Sequence, residues 1–232
     1  MASCGEKLHQ RPHQNIVKTL IIATRNRHKV DEIRAILGGS YRYLTLHDFP
    51  AAPPVHEDAA TFAGNAALKA EGLARWIAAT PAARAKLPLE GVVMILADDS
   101  GLEVDALGGA PGVHSARFAA LDTGASGNSS DAANNAKLLD LLQDVPAGQR
   151  AGRFRCVIAL APVMPAGPTQ FFDGVCEGRV DFGPRGQGGF GYDPLFIPRG
   201  FEQSFAELGE ETKNRLSHRS QALAKMRKWF AV

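Results

Sequence analysis

The sequence predicts an α/β protein built on a mixed β-sheet, and three observations carry that prediction. Two short, continuously apolar runs, Leu20–Ala23 and Val92–Ala97, have the length and composition of buried strands. Other segments place apolar residues at helical spacing: Val30, Ile33, Ile36 and Leu37 in one, and Phe62, Ala66, Leu73, Trp76 and Ile77 in another. Strand-like and helix-like segments are interleaved along the chain, the order expected of α/β architecture.

Taken in order, residues Met1–Lys18 are polar and lack an apolar signal-peptide core, so they read as a disordered leader. The first strand leads through the polar turn Thr24-Arg25-Asn26 into a helix that stops at Gly38-Gly39. Tyr43–Phe49 reads as a second strand, ended by Pro50 and the Pro53-Pro54 pair. Thr61 offers an N-cap for a longer helix, and the Ala- and Pro-rich stretch Ala78–Glu90 reads as a loop or a frayed extension. Val92–Ala97 is expected to close at a turn marked by Ser100-Gly101. Leu102–Leu107 then alternates as a short separate strand, and Gly108–Gly112 forms a turn. Leu121–Ser130 reads as a flexible loop, Asp131–Leu142 as a helix, and Phe154–Leu160 with Phe171–Cys176 as paired strands. Gly183–Pro194 is glycine-dense, and Ser220–Phe230 closes the chain as an amphipathic helix. No repeat or linker composition divides residues 19–232, which are expected to form a single domain.

Bulk properties exclude several classes. At 232 residues the chain can bury a proper core. A net charge of +2 gives no basic field that would argue for nucleic acid, and no apolar run approaches the roughly 18 residues of a membrane span. Cys4, Cys156 and Cys176 are an odd number without metal-ligand spacing, as expected of reduced thiols in a cytoplasmic protein. A sequon at Asn128-Ser129-Ser130 carries no meaning without a secretion signal.

Four constellations point to chemistry. Asp98 and Asp99 follow an apolar strand; carboxylates on a loop at a strand's end can face a cleft where magnesium offsets their desolvation, or can simply cap a turn. Thr24-Arg25-Asn26-Arg27-His28-Lys29 joins a strand to a helix, where free backbone N–H groups attract anions and Lys29 adds charge; the alternative is a capped helix with a solvated basic face. Gly186-Gln187-Gly188-Gly189-Phe190-Gly191 formally fits a dinucleotide fingerprint, but Tyr192-Asp193-Pro194 precludes the helix that fingerprint needs. The loop carrying Phe190 and Tyr192 reads as a wall for a flat ligand such as a purine base, or as a β-bulge or hairpin. Finally, Lys213 and Ser217-His218-Arg219 lie before the closing helix, where basic groups oppose the dipole unless an anion is bound; a solvated surface is the alternative.

Six ordered blocks combine these signals. They are Thr24-x-Asn26-x-x-Lys29, Thr61-Phe62-x-x-Asn65-Ala66-x-x-Lys69-Ala70, Ala97-Asp98-Asp99-Ser100-Gly101-Leu102, Gly108-Gly109-Ala110-Pro111-Gly112-Val113-x-Ser115-Ala116-Arg117, Gly188-Gly189-Phe190-Gly191-Tyr192-Asp193-Pro194 and Ser217-His218-Arg219-x-x-Ala222. From Thr19 onward the chain resembles the inosine triphosphate pyrophosphatase family. The resemblance implies an elongated mixed α/β fold with a cleft between two lobes, a cytoplasmic homodimer, and magnesium-dependent hydrolysis of ITP, dITP or XTP to the monophosphate and pyrophosphate. It implies Asp99 as general base and metal ligand, Glu57 as the other ligand and Asp98 in support. Thr24, Arg25, Asn26, Arg27, His28 and Lys29 would hold phosphates, with Lys69 and Lys213 nearby. Ser100 and Arg117 would contact substrate, while Phe190, Gly191, Tyr192 and Asp193, with His218 and Arg219, would form the base pocket. One position departs from the family: Gly64 stands where Phe-x-Glu-Asn-Ala has its carboxylate. Other readings are a pyrophosphatase for modified pyrimidine or 7-methylated guanosine triphosphates, and a catalytically weak nucleotide sensor, which Gly64 favours.

Overall fold

The computed structural model describes residues 18–122, 124, 126–164 and 167–231. Strands β1 (Lys18–Ile22), β2 (Arg42–Thr45), β3 (Val92–Val104), β4 (Ala151–Met164), β5 (Gln170–Val180) and β6 (Phe196–Pro198) form one sheet in the order β2-β1-β3-β4-β5-β6. β1 is parallel to β2 and β3, and the remaining neighbours are antiparallel, so the sheet is mixed as expected. The helices are α1 (Arg27–Leu37), α2 (Phe62–Ala79), α3 (Pro81–Arg84), α4 (Asp131–Leu141), α5 (Phe205–Leu216) and α6 (His218–Phe230).

Helices on both faces explain why the central strands read as unbroken apolar runs rather than alternating ones. Ile21, Ile95, Ala97, Ala159 and Ala161 share a core with Ala66, Ala70, Leu73 and Ile77 of α2. Their strand neighbours Leu20, Ile22, Met94, Leu96, Ile158 and Leu160 belong to the opposite core, with Val30 and Ile33 of α1 and Leu223 and Met226 of α6. A third cluster around Leu102, Val104, Phe154, Phe196 and Phe205 fills the far halves of β3–β5.

The structure corrects several expectations. β3 does not end at Ser100-Gly101: it continues to Val104, with Asp98 paired to Ile158 and Asp99 to Val157 of β4. Gly101 is there for close packing, since a Cβ would lie 2.4 Å from both the Gly112 carbonyl and Ser115 Oγ. The two aspartates are therefore strand residues, not loop residues. β1 pairs with β3 only as far as Leu96, so β3 runs past its parallel neighbour where the carboxylates begin. The second strand stops at Thr45, because Asp48 Oδ2 accepts from Thr45 N–H at 2.7 Å and turns the chain. Ala78–Glu90 is no simple loop: α2 reaches Ala79, Pro81 opens α3, and Ala83 and Leu87 are buried. β6 and α5 are additional elements, and α6 begins at His218 rather than Ser220. α5 starts with a full Ser204–Glu207 capping box. Lys18 opens β1, the rest of the expected leader with Cys4 lies outside the described residues, and so do residues 123 and 125 of the expected loop.

Gly174 of β5 sets the seat of α6, since a Cβ there would lie 2.0 Å from the His218 carbonyl and 2.7 Å from Ala222 N. Backbone atoms cannot rotate away, so Gly174→Ala is expected to cost about 1–3 kcal/mol by overpacking. Urea unfolding measures this; an unchanged midpoint would disprove the close seating.

Candidate functional site

The pleat turns adjacent residues to opposite faces, and this divides the Asp98-Asp99 pair. Asp98 faces α1 and α6, completely buried. Lys29 pairs with its Oδ1, Arg219 donates from Nε at 3.1 Å and from a terminal nitrogen at 3.3 Å, and Ser100 Oγ and Cys156 Sγ each donate at 3.0 Å. Burial alone would raise the carboxyl pKa, but Arg219 and Lys29 hold it well below the ordinary value. With both oxygens engaged in this way, the expected metal-supporting role of Asp98 does not fit the arrangement.

The same cluster extends through Glu32, which sequence reading missed. Glu32 pairs with Arg219 and lies 2.7 Å from Lys213 Nζ, and Lys213 lies 2.5 Å from Asp193 Oδ2. Three cations thus meet three carboxylates between α1, β3, α5, α6 and the loop before β6. Burial works to raise the Glu32 carboxyl, yet Arg219 and Lys213 bring its pKa below the ordinary value. The basic groups before and within the first turn of α6 do find anions, but these are the protein's own. Arg219 is 1% exposed and commits four of its five N–H groups, to Asp98 twice, Glu32 and Ser100. His218 is stacked on Phe154 at 4.9 Å; burial, then Arg219, hold its pKa well below the ordinary value, and its Nδ1 has no hydrogen-bond partner.

Asp99 faces α2 instead. Lys69 Nζ sits 2.9 Å from Asp99 Oδ1 and 2.8 Å from Glu57 Oε2, bridging the two carboxylates. Burial pushes the Asp99 carboxyl up to about 6 against the pull of Lys69 and Lys29, with the Glu57 charge adding to the rise. Lys69 itself is held charged: burial opposes this, but Asp99 and Glu57 outweigh it. Asn65, a motif residue without an assigned role, is fully buried and locks this half together. Its Nδ2 donates to Asp99 Oδ2 at 3.3 Å, and its Oδ1 accepts from Ala59 N–H at 3.0 Å. Arg117 belongs here too, donating to the Glu57 carbonyl at 3.1 Å, so it braces the arm that carries Glu57. Lys29 acts on Glu57 and Asp99 as well as Asp98, which joins the two halves electrostatically.

Among the described residues no three His, Cys, Asp or Glu side chains converge as a metal cage. Glu57 and Asp99 nonetheless fit a hard divalent cation that keeps most of its waters, being two carboxylates already converging on one positive charge. Gly64 does not remove a ligand from this pair. It is the third residue of α2, donating its N–H to the Thr61 cap at 3.1 Å, and a Cβ there would lie 2.7 Å from Ala59 Cβ. The glycine lets the Glu57-bearing arm pack against the helix.

The turn expected to bind anions is a capped helix start: Asn26 caps α1 by accepting from Lys29 N–H, and Thr24 Oγ1 accepts from Asn26 N–H. Thr24, Arg25 and Arg27, with Arg34, Thr45 and His47, line a cavity of about 340 Å³ on the outer side of α1. His28, Glu32, Phe190, Phe205 and Lys213 line another of about 300 Å³ on the inner side. Of the expected base-pocket residues, Phe190 borders this inner cavity. Tyr192 does not serve as a wall: it is buried, and its hydroxyl donates to the Ser115 carbonyl at 2.9 Å. Asp193 holds the loop from within, accepting from Phe190 N–H at 2.9 Å, and Gly191 N–H donates to Asp131 Oδ2 at 2.6 Å.

Comparison with known proteins yields one consistent group. The sequence profile of the Ham1 family matches residues 20–229. The dITP/XTP pyrophosphatase of Geobacillus kaustophilus is 46% identical over 211 residues, covering 90% of this chain and 93% of that protein. The dITP/XTP pyrophosphatase of Geobacter sulfurreducens is 48% identical over 206 residues, covering 88% and 92%. Among solved structures, a HAM1 protein from Coxiella burnetii superposes with a TM-score of 0.76 at 32% identity, covering 93% of this chain and 99% of that one.

The ion cluster generates a stability prediction. Arg219→Ala leaves the buried Asp98 and the partly buried Glu32 without their shared partner, which is expected to cost about 3–5 kcal/mol. A loss under 1 kcal/mol in urea unfolding would show that the cluster is not held by this guanidinium.

Proposed function

The chain belongs to the Ham1 family, and on that premise we propose that it hydrolyses non-standard purine nucleoside triphosphates, dITP, XTP and ITP, to the monophosphate and pyrophosphate. The observation that carries this reading is the Asp99–Lys69–Glu57 group beside the cationic turn of α1. A triphosphate brings about four negative charges, and positioning with charge neutralisation supplies most of the acceleration in phosphoryl chemistry. Lys29, Lys69 and the backbone N–H groups at the start of α1 supply such neutralisation.

Asp99 is the proposed general base. A carboxylate with a pKa of about 6 remains ionised at neutral pH and accepts a proton more readily than an ordinary one. Asn65 and Lys69 fix its orientation towards the attacking water. Glu57 and Asp99 are the proposed holders of magnesium, which when bound supplies charge neutralisation and acidifies water. Asp98 holds Lys29 and Arg219 in place rather than taking part in the chemistry.

Base selection follows from hydrogen-bond polarity. Hypoxanthine and xanthine carry an oxygen acceptor at position 6, whereas adenine carries an amino donor. A pocket that presents donors leaves them unpaired when adenine enters, a mismatch worth several kcal/mol. The neutral His218 and the remaining N–H of Arg219 are the proposed donors, with Phe190 stacking on the base. We further propose the homodimer and the cytoplasmic setting that the resemblance implies; no described helix is long and apolar enough to cross a membrane.

A pyrophosphate-release assay with ITP, XTP, dITP, GTP and ATP, with and without magnesium, tests the reading. The expected outcome is magnesium-dependent pyrophosphate from the first three and at least 100-fold lower kcat/KM for ATP. Orthophosphate as the product, or equal rates on ATP, would refute it.

A further inference from the structure

The ring proposed to support one face of the base already has a partner. The Phe190 and His28 rings are stacked, with centroids 5.2 Å apart and planes inclined by 12°. They come from distant parts of the chain, His28 from the first turn of α1 and Phe190 from the loop before β6, and both border the inner cavity.

The two rings are held very differently. Phe190 is fixed: its N–H donates to Asp193 at 2.9 Å, the following Gly191 is clamped by Asp131 at 2.6 Å and Asn135 at 3.0 Å, and Lys213 Nζ lies 4.2 Å from the ring centroid. His28 is exposed, and among the described residues its side chain makes no hydrogen bond or ion pair; the stack is its one contact of note. An aromatic ring on an exposed, rotatable side chain that rests on a fixed ring is suited to lift and close again.

We infer that His28 is a base-clamping residue: its imidazole swings off Phe190, admits the purine, and closes on the base's other face. This rests on the purine triphosphate reading above. Two rings holding a third between them at van der Waals distance stand about 7 Å apart, twice the plane separation of two rings in contact, so the pair opens by roughly one ring thickness, within reach of a rotamer change. Stacking takes any purine alike, so His28 governs how tightly the base is held, while the donors of the pocket govern which purine is accepted. Its place within the phosphate-binding turn couples the two ends of the nucleotide: the segment that grips the phosphates also carries the ring that closes on the base.

Steady-state kinetics of His28→Ala and His28→Trp test this, with tripolyphosphate, which has no base, as a competitive inhibitor. For His28→Ala the KM for ITP and XTP is expected to rise together about 5- to 50-fold, with kcat changed less than about threefold, discrimination against ATP unchanged and the tripolyphosphate Ki unchanged. His28→Trp is expected to restore KM. An unchanged KM in an active His28→Ala enzyme overturns the inference, as does a tripolyphosphate Ki that rises in step with KM, which would make His28 a phosphate contact. A wild-type protein that releases no pyrophosphate from either nucleotide overturns instead the function on which the inference rests.

Discussion

Everything in this site depends on one consequence of strand geometry: neighbouring residues on a strand face opposite ways. Asp98 and Asp99 lie in the middle of β3, so one carboxylate belongs to the layer of α1 and α6 and the other to the layer of α2. β1 stops pairing at Leu96, and this opens the sheet just where the two carboxylates begin. Ligands of α/β sheets gather beyond the carboxyl ends of parallel strands, where loops and helix N-termini converge. Here that position is occupied by the turn into α1, and Lys29 reaches from it to Asp98 while its charge also acts on Asp99.

The two carboxylates have opposite electrostatic circumstances. Asp98 is a charge that the fold prefers charged, and its cations anchor three helices to the strand through Lys29, Arg219 and, by way of Glu32, Lys213. Such a buried network is costly to desolvate, and well-packed apolar residues could stabilise the interface as well. Its value is positional: it fixes His218, Arg219 and Lys213 against the loop that presents Phe190. Asp99 is a charge that the fold prefers neutral, crowded by burial and by Glu57. A carboxylate kept under that pressure is a better proton acceptor and a better cation ligand.

Much of this was legible in the sequence, and the failures are instructive. The continuous apolar runs marked β1 and β3 as buried strands, and Thr61 marked the start of α2, whereas the cap at Asn26 was hidden in a turn read for its charge. Ser100-Gly101 misled because its glycine answers to the approach of Gly112 and Ser115, a tertiary contact with the appearance of a turn signal. Continuing the strand alternation through Asp98 and Asp99 would have separated their roles. α5 announced itself in Ser204-Phe205-Ala206-Glu207, a capping-box pattern that went unread. Glu32 could not be distinguished from a solvated helix residue, since its partners lie more than 180 residues away. Tyr192 looked like a ligand wall because it neighbours Phe190, but its hydroxyl is tied inward to Ser115.

Comparing Asp98→Asn with Asp99→Asn, in kcat and in unfolding free energy at pH 7.5, tests the division of labour most directly. Folding lowers the pKa of Asp98, so its charge stabilises the native state at this pH and removing it should be destabilising. Folding raises the pKa of Asp99, so removing its charge should leave stability unchanged or increase it. The account predicts that Asp99→Asn loses about 100- to 10,000-fold in kcat with its stability kept, while Asp98→Asn loses stability first. An Asp99→Asn enzyme that turns over normally, or an Asp98→Asn protein as stable as the wild type, would contradict it.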